Sequence, residues 1–115
     1  MKMKKLFIIC SMLSLSALHS QKMETKSKNK KESIAVSGNC EMCKARIEKA
    51  SLKTKGVKYA FWNVASKQLN LIYNEQKVSL EEIEQSILSA GHDSGSLKTS
   101  ESAYKKLHVC CQYRE

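Results

Sequence analysis

Apolar and polar positions begin to alternate at Ser33-Ile34-Ala35-Val36-Ser37, a short run with β-branched residues that predicts a strand. Gly38-Asn39 breaks it, and a helical stretch follows from about Glu41 to Lys53, ended by Gly56. Val57 to Val64 alternates again, with Ala60, Trp62 and Val64 on the inward face and Tyr59 and Phe61 on the open one. Ala65-Ser66-Lys67 turns the chain into a third strand, Gln68 to Tyr73, whose Leu69, Leu71 and Tyr73 share a face, so the two strands pair as a hairpin. The clearest helix is next. Ser79 is its cap, Glu82 completes a capping box, and Leu80, Ile83, Ile87 and Ala90 recur at helical spacing before Gly91 stops it.

The order is β-α-β-β-α, and one more strand would complete a ferredoxin-like α+β sandwich, βαββαβ. Ser94 to Thr99 is the one candidate, weakened by Ser94, Gly95 and Ser96, which are poor strand formers. Ser100 then caps a short helical extension through Leu107, before His108-Val109-Cys110-Cys111 near the end of the chain.

The N-terminal pattern differs in kind. Lys2, Lys4 and Lys5 precede an uncharged, mostly apolar run from Leu6 to Leu18, shorter than the roughly 20 residues a bilayer span needs. This predicts a signal peptide over residues 1–20, cleaved after Ser20, and hence an exported, periplasmic or otherwise extracytoplasmic protein; an uncleaved anchor is the alternative. Charge alters the picture only when it is divided. The chain carries a formal net charge of +9, but from Ser33 onward 12 basic residues face 9 acidic ones. Much of the excess sits in residues 21–32, where Lys22, Lys26, Lys28, Lys30 and Lys31 outnumber Glu24 and Glu32, a composition that predicts a disordered basic linker rather than a nucleic-acid surface.

Four of the five cysteines follow the signal: Cys40, Cys43, Cys110 and Cys111. A C-x-x-C and an adjacent pair would each close only a tiny disulfide loop, so short-spaced thiols suit metal capture or redox exchange better than a stabilising framework. Thioredoxin-like redox proteins carry an aromatic residue or Pro between their cysteines and a cis-Pro opposite, and this chain contains no Pro. No catalytic triad, carboxylate pair or phosphate-binding Gly-rich loop is apparent, which points away from an enzyme.

The stretch from Ser33 to about Asp93 resembles the heavy-metal-associated domain of copper chaperones, metal-transporting ATPase N-termini and the periplasmic mercury-binding protein. The resemblance rests on Gly38-Asn39-Cys40-Glu41-Met42-Cys43 after a first strand, then Arg46-Ile47-Glu48-Lys49-Ala50 and Gly56-Val57. The hairpin, Val78-Ser79-Leu80-Glu81-Glu82-Ile83 and Ala90-Gly91-His92-Asp93 continue it. It implies a domain over residues 33–99, with a C-terminal extension over 100–115 outside the family pattern. It also implies two thiols on the loop between first strand and first helix. Copper-binding members usually carry Met and Thr in the places of Gly38 and Asn39, so the choice of metal is left open.

On this reading Cys40 and Cys43 are the primary metal ligands, holding a soft ion, Cu(I) first and Zn(II), Hg(II) or Cd(II) after it, for transfer or sequestration. Cys43 falls in the first turn of the helix, where unpaired N–H groups favour a thiolate, and Lys44 adds a positive charge beside it. Family placement puts His92 in the loop beside the metal loop as a candidate third ligand, and leaves Met42 pointing to solvent. Three readings stand for His108, Cys110 and Cys111: a second metal site, a tail folded over to complete a four-ligand site with Cys40 and Cys43, or a disulfide reserve. Adjacent cysteines are not expected to bind one ion together without backbone strain. The expected partners are the metal ion and a metal-transporting membrane protein or another carrier, with no nucleic acid. The chain is read as a monomer, a metal-bridged dimer being the alternative. The competing functions are a thiol–disulfide redox protein and a structural zinc module that uses the C-terminal cysteine pair.

Overall fold

The computed structural model describes residues 28–115. The proposed signal peptide and cleavage point, and residues 21–27 of the expected linker, lie outside the described residues. Three strands form one antiparallel sheet: β1 (Asn29–Ala35), β2 (Val57–Trp62) and β3 (Gln68–Asn74), in the order β1-β3-β2. Helices α1 (Glu41–Lys53) and α2 (Leu80–Ser89) complete the βαββα order, and α3 (Glu101–Lys105) with a 3-10 turn (Val109–Cys111) forms the C-terminal extension.

One face of the sheet carries the core. Leu69, Leu71 and Tyr73 of β3 and Trp62 of β2 are buried against Ile47 of α1 and Ile83 and Ile87 of α2. In α1 the buried residues Cys43, Ile47 and Ser51 recur every four positions, so the C-x-x-C motif is continuous with the helix's apolar stripe. Tyr59 and Phe61 stay largely exposed on the other face, as the alternation requires. Ser79 caps α2 by accepting the N–H of Glu82 at 3.2 Å. Gly91 ends it at φ 102°, with the carbonyl of Ala103 and the side chain of Leu107 2.9 Å from where a Cβ would stand.

Two expectations change. The first strand begins at Asn29, not Ser33, so the polar linker is shorter at its C-terminal end. Lys30, Lys31 and Glu32 pair with Tyr73, Ile72 and Leu71 of the central strand. β1 is an edge strand, where charged side chains are tolerated, and Lys30 pairs with Glu32 at 3.1 Å. The sixth element, the candidate strand Ser94–Thr99, is reduced to isolated bridges of Ser94 with Val36 and with Leu97. Gly95 at φ 57° turns the chain there, and the carboxylate of Asp93 takes the N–H of Thr99 at 2.8 Å. A side chain therefore receives a donor that a strand ladder would otherwise use.

Candidate metal centre

The first strand ends at Ala35, and Val36 to Asn39 carries the chain to Cys40, the N-cap of α1. This loop is held from three sides. Val36 N–H donates to the carbonyl of Lys67, the Ser37 amide donates to that of Asp93, and the indole N–H of Trp62 donates to the Val36 carbonyl at 3.0 Å. Trp62 also accounts for Gly38. A Cβ there would lie 3.0 Å from the Trp62 ring and 3.0 Å from Cys43 Cβ. The indole fills the space that a side chain would need. Gly38→Ala is expected to lower stability by about 1–3 kcal/mol through overpacking, read as a shift in the urea midpoint; an unchanged midpoint would remove this explanation of the glycine.

The Sγ atoms of Cys40 and Cys43 stand 3.5 Å apart, and all four described cysteines are free thiols. The tail joins them. Cys40 Sγ is 3.7 Å from Cys110 Sγ and 3.8 Å from Cys111 Sγ, and the two tail sulfurs are 4.0 Å apart. The ligand atoms of Cys40, Cys110 and Cys111 all lie within 4.8 Å of one another. The tail thus folds back so that Cys110 and Cys111 lie beside Cys40. The 3-10 turn over Val109–Cys111 leaves the two adjacent sulfurs 4.0 Å apart.

These separations restrict the chemistry. With metal–sulfur bonds of about 2.3 Å, a linear ion needs sulfurs about 4.6 Å apart, a trigonal ion about 4.0 Å and a tetrahedral ion about 3.8 Å. The triangle of Cys40, Cys110 and Cys111 has edges of 3.7, 3.8 and 4.0 Å, matching a three-sulfur site; Cys43, 3.5 Å from Cys40, is not in that group.

Exposure and protonation divide the thiols. Cys43 and Cys111 are fully buried, Cys40 is half-buried and Cys110 is exposed. The backbone of Cys43, and then the thiols of Cys43, Cys110 and Cys111, hold the Cys40 thiol down at about 7 against the opposing effect of burial. Burial first, and the neighbouring Cys43 and Cys40 sulfurs next, push the Cys111 thiol up. The hydrogen bond to Cys40, followed by burial, raises Cys110. One thiolate is therefore ready near neutral pH, and an entering cation must displace the protons of Cys110 and Cys111.

Lys44 does not take the expected place beside the thiols. Its Nζ pairs with Glu48, donates to the Trp62 carbonyl at 3.2 Å and lies 3.8 Å over the Phe61 ring. His92, the candidate third ligand, is fully buried and is not in the group of Cys40, Cys110 and Cys111. Its Nδ1 is 2.7 Å from the Ser37 carbonyl, and the ring stacks on Tyr113 at 5.7 Å. Burial lowers its pKa, so the neutral ring donates Nδ1–H and steadies the metal loop from behind. His108 lies beside Cys110, with Nδ1 3.2 Å from its sulfur.

Sequence reasoning missed the residues that fix the tail in place. Asp93, 5 % exposed, accepts from Arg114 at 2.9 Å and from Thr99 N–H. Tyr113 Oη accepts the Asp93 N–H at 2.8 Å and donates to the Gly91 carbonyl at 2.9 Å. Asn39 Nδ2 donates to the Gln112 carbonyl at 3.2 Å, tying the tail directly to the metal loop. An Asp at the end of the resembled pattern and an Arg at the penultimate position of the chain were the only signals, and neither carries a period.

Three antiparallel strands backed by two helices, with C-x-x-C at the first strand–helix junction, are the fold and thiol placement of a heavy-metal-associated domain. No protein-family model and no curated protein matches the chain. Solved structures do. The chain is similar to the CopZ metallochaperone, with 29 % identity over 56 % of this chain and 98 % of that one, at a TM-score of 0.55. It is similar to the N-terminal domain of a potential copper-translocating P-type ATPase from Bacillus subtilis in the Cu(I)-loaded state, with 26 % identity, 58 % and 85 % coverage and a TM-score of 0.56. Oxidized MerP from Ralstonia metallidurans CH34 shares the fold at 20 % identity, 57 % and 96 % coverage and a TM-score of 0.51. These neighbours are metal carriers and metal-binding domains, a non-enzymatic class.

Proposed function

We propose that this protein binds a soft metal ion, Cu(I) before Zn(II), Hg(II) or Cd(II), at Cys40 and Cys43 together with Cys110 and Cys111, and carries or sequesters it outside the cytoplasm. The observation that carries the reading is the convergence of free thiols on Cys40 at the start of α1, its Sγ standing 3.5, 3.7 and 3.8 Å from those of Cys43, Cys110 and Cys111. Thiolates suit a soft monovalent cation, and the likeness to a metallochaperone and to a Cu(I)-loaded ATPase domain supports copper. The N-terminal basic-then-apolar pattern supports export. The partner expected on this reading is a metal-transporting membrane protein or a second carrier whose thiols take the ion by ligand exchange. Cys40 and Cys110, the two sulfurs not fully buried, are where such thiols enter.

The test is a Cu(I) titration of the reduced protein against a competing chelator, with metal counted per chain and repeated on Cys40→Ser, Cys43→Ser. Tight binding in the wild type that disappears in the variant supports the site; retention in the variant sinks it.

A structural zinc module is the second reading, favoured by separations of 3.7 and 3.8 Å from Cys40 to the tail sulfurs, close to the tetrahedral value. The two differ in what chelation does. Cys43 and Cys111 belong to the core, but its bulk, Trp62, Ile47, Leu69, Leu71, Ile83 and Ile87, is packed without them, so metal removal is expected to leave the far-ultraviolet circular dichroism unchanged. Unfolding on chelation would favour zinc as a structural pin.

A further inference from the structure

The sulfur of Cys110 faces two donors outside the four-thiol group. On one side are Cys40 and Cys111, at 3.7 and 4.0 Å. On the other are Met42 Sδ at 3.7 Å and His108 Nδ1 at 3.2 Å. Met42 is 45 % exposed and Cys110 and His108 are also exposed, so none of the three is spent on the core. The resemblance left Met42 pointing to solvent; in this chain the tail comes to meet it.

We propose that Cys110 Sγ, Met42 Sδ and His108 Nδ1 form a position for a second Cu(I) ion, bridged to the first through the Cys110 sulfur. The inference rests on the proposed soft-metal function and adds a distinct ligand set to it. The separations fit. Taking metal–sulfur and metal–nitrogen bonds of about 2.3 and 2.1 Å, a sulfur and a nitrogen sharing one ion stand about 3.1 Å apart at a right angle and about 3.8 Å apart at a trigonal angle. Two sulfurs sharing one stand between about 3.3 and 4.0 Å over the same angles. The observed 3.2 and 3.7 Å fall inside those ranges.

The donor set also chooses the ion. A thioether is a soft neutral ligand that favours Cu(I) and adds little for Zn(II). A thiolate has lone pairs enough to bridge, so Cys110 serves both positions with no further deprotonation. The Nδ1 lone pair now accepts the Cys110 N–H at a long 3.4 Å, a contact that coordination would replace. The position is on the surface, next to Cys40, where an incoming ion first meets the protein.

The experiment is a Cu(I) titration of the full reduced chain against a graded set of competing chelators, with copper counted per chain and X-ray absorption on the loaded protein. A parallel titration uses Zn(II). Wild type is expected to take two Cu(I) ions, with a short copper–copper vector, and one Zn(II). Met42→Leu with His108→Asn is expected to take one Cu(I) and lose the copper–copper vector. The Leu keeps the shape of the side chain and the Asn keeps an acceptor for the Cys110 N–H, so the first ion acts as an internal control for folding. A wild type that stops at one Cu(I), or a double variant that still takes two, overturns the second position and leaves the proposed function standing. Loss of all binding in the wild type, or a Cys40→Ser, Cys43→Ser variant that takes as many Cu(I) ions per chain as wild type, fails the proposed function instead.

Discussion

Cys40→Ser is expected to weaken Cu(I) binding by more than about a hundredfold, because losing even an outer-shell partner of a metal ligand costs about 10–100-fold. Cys40 is the sulfur nearest to all the others, 3.5, 3.7 and 3.8 Å from those of Cys43, Cys110 and Cys111. It is also the thiol already held down at about 7. The fold should not suffer. Cys40 is the N-cap of α1 and makes no side-chain capping bond, whereas Ser is among the preferred caps. Stability is therefore expected to stay level or rise slightly while affinity collapses. Competition titration and a thermal melt of the same variant check both halves, and a variant that binds Cu(I) as tightly as wild type would remove Cys40 from the site.

The second large effect belongs to Asp93, which touches no sulfur. Asp93→Ala leaves the Thr99 N–H without its acceptor and takes from Arg114 its buried one, a loss of about 2–3 kcal/mol, toward the low end because Arg114 is partly exposed and still donates to Glu101 and the Thr99 carbonyl. The sign with pH follows from the same groups. Burial acts to raise the Asp93 carboxyl, but the Thr99 amide and Arg114 overcome it and hold it below the usual carboxylate range. A depressed folded-state pKa gives a contribution that is complete above the unfolded value of about 3.9 and is lost as pH falls through the folded one. The stability gap between wild type and Asp93→Ala should accordingly be constant from neutral pH down to about pH 4 and shrink below it. Urea midpoints at a series of pH values measure this, and a gap unchanged into strong acid would mean the ion pair is not its source. The variant should also expose Cys111, now fully buried, to thiol reagents.

Much of the sandwich was legible because its signals are local. Leu69, Leu71 and Tyr73 alternate, Ser79 and Gly91 bracket a helix, and Gly38-Asn39 stops a strand just before the C-x-x-C. Asn29 to Glu32 reads as a solvated tail because nothing in its composition reports the central strand beside it; pairing with β3 overrides propensity. The missing last strand has the opposite cause, since Gly95 and the Asp93 carboxylate redirect a backbone that could otherwise have paired. At the site, the four cysteines and His108 stood out by residue type, but their meeting did not. It depends on Asp93 reaching Arg114 and Tyr113 reaching Gly91, contacts spanning 21 and 22 residues with no repeating pattern.

The clasp of the tail over the metal loop has a kinetic consequence. On the proposed function, Cys110 and Cys111 are tethered to the ion's site, so they would compete with any incoming thiol at an effective concentration in the millimolar range. A free partner at micromolar levels cannot displace them by mass action alone. Handover must then wait for the clasp of Asp93, Tyr113 and Asn39 to open, or be driven by a partner that binds the surface as well as the ion. Such a molecule behaves as a slow-release reservoir, with a residence time set by a hydrogen-bonded latch some distance from the sulfurs.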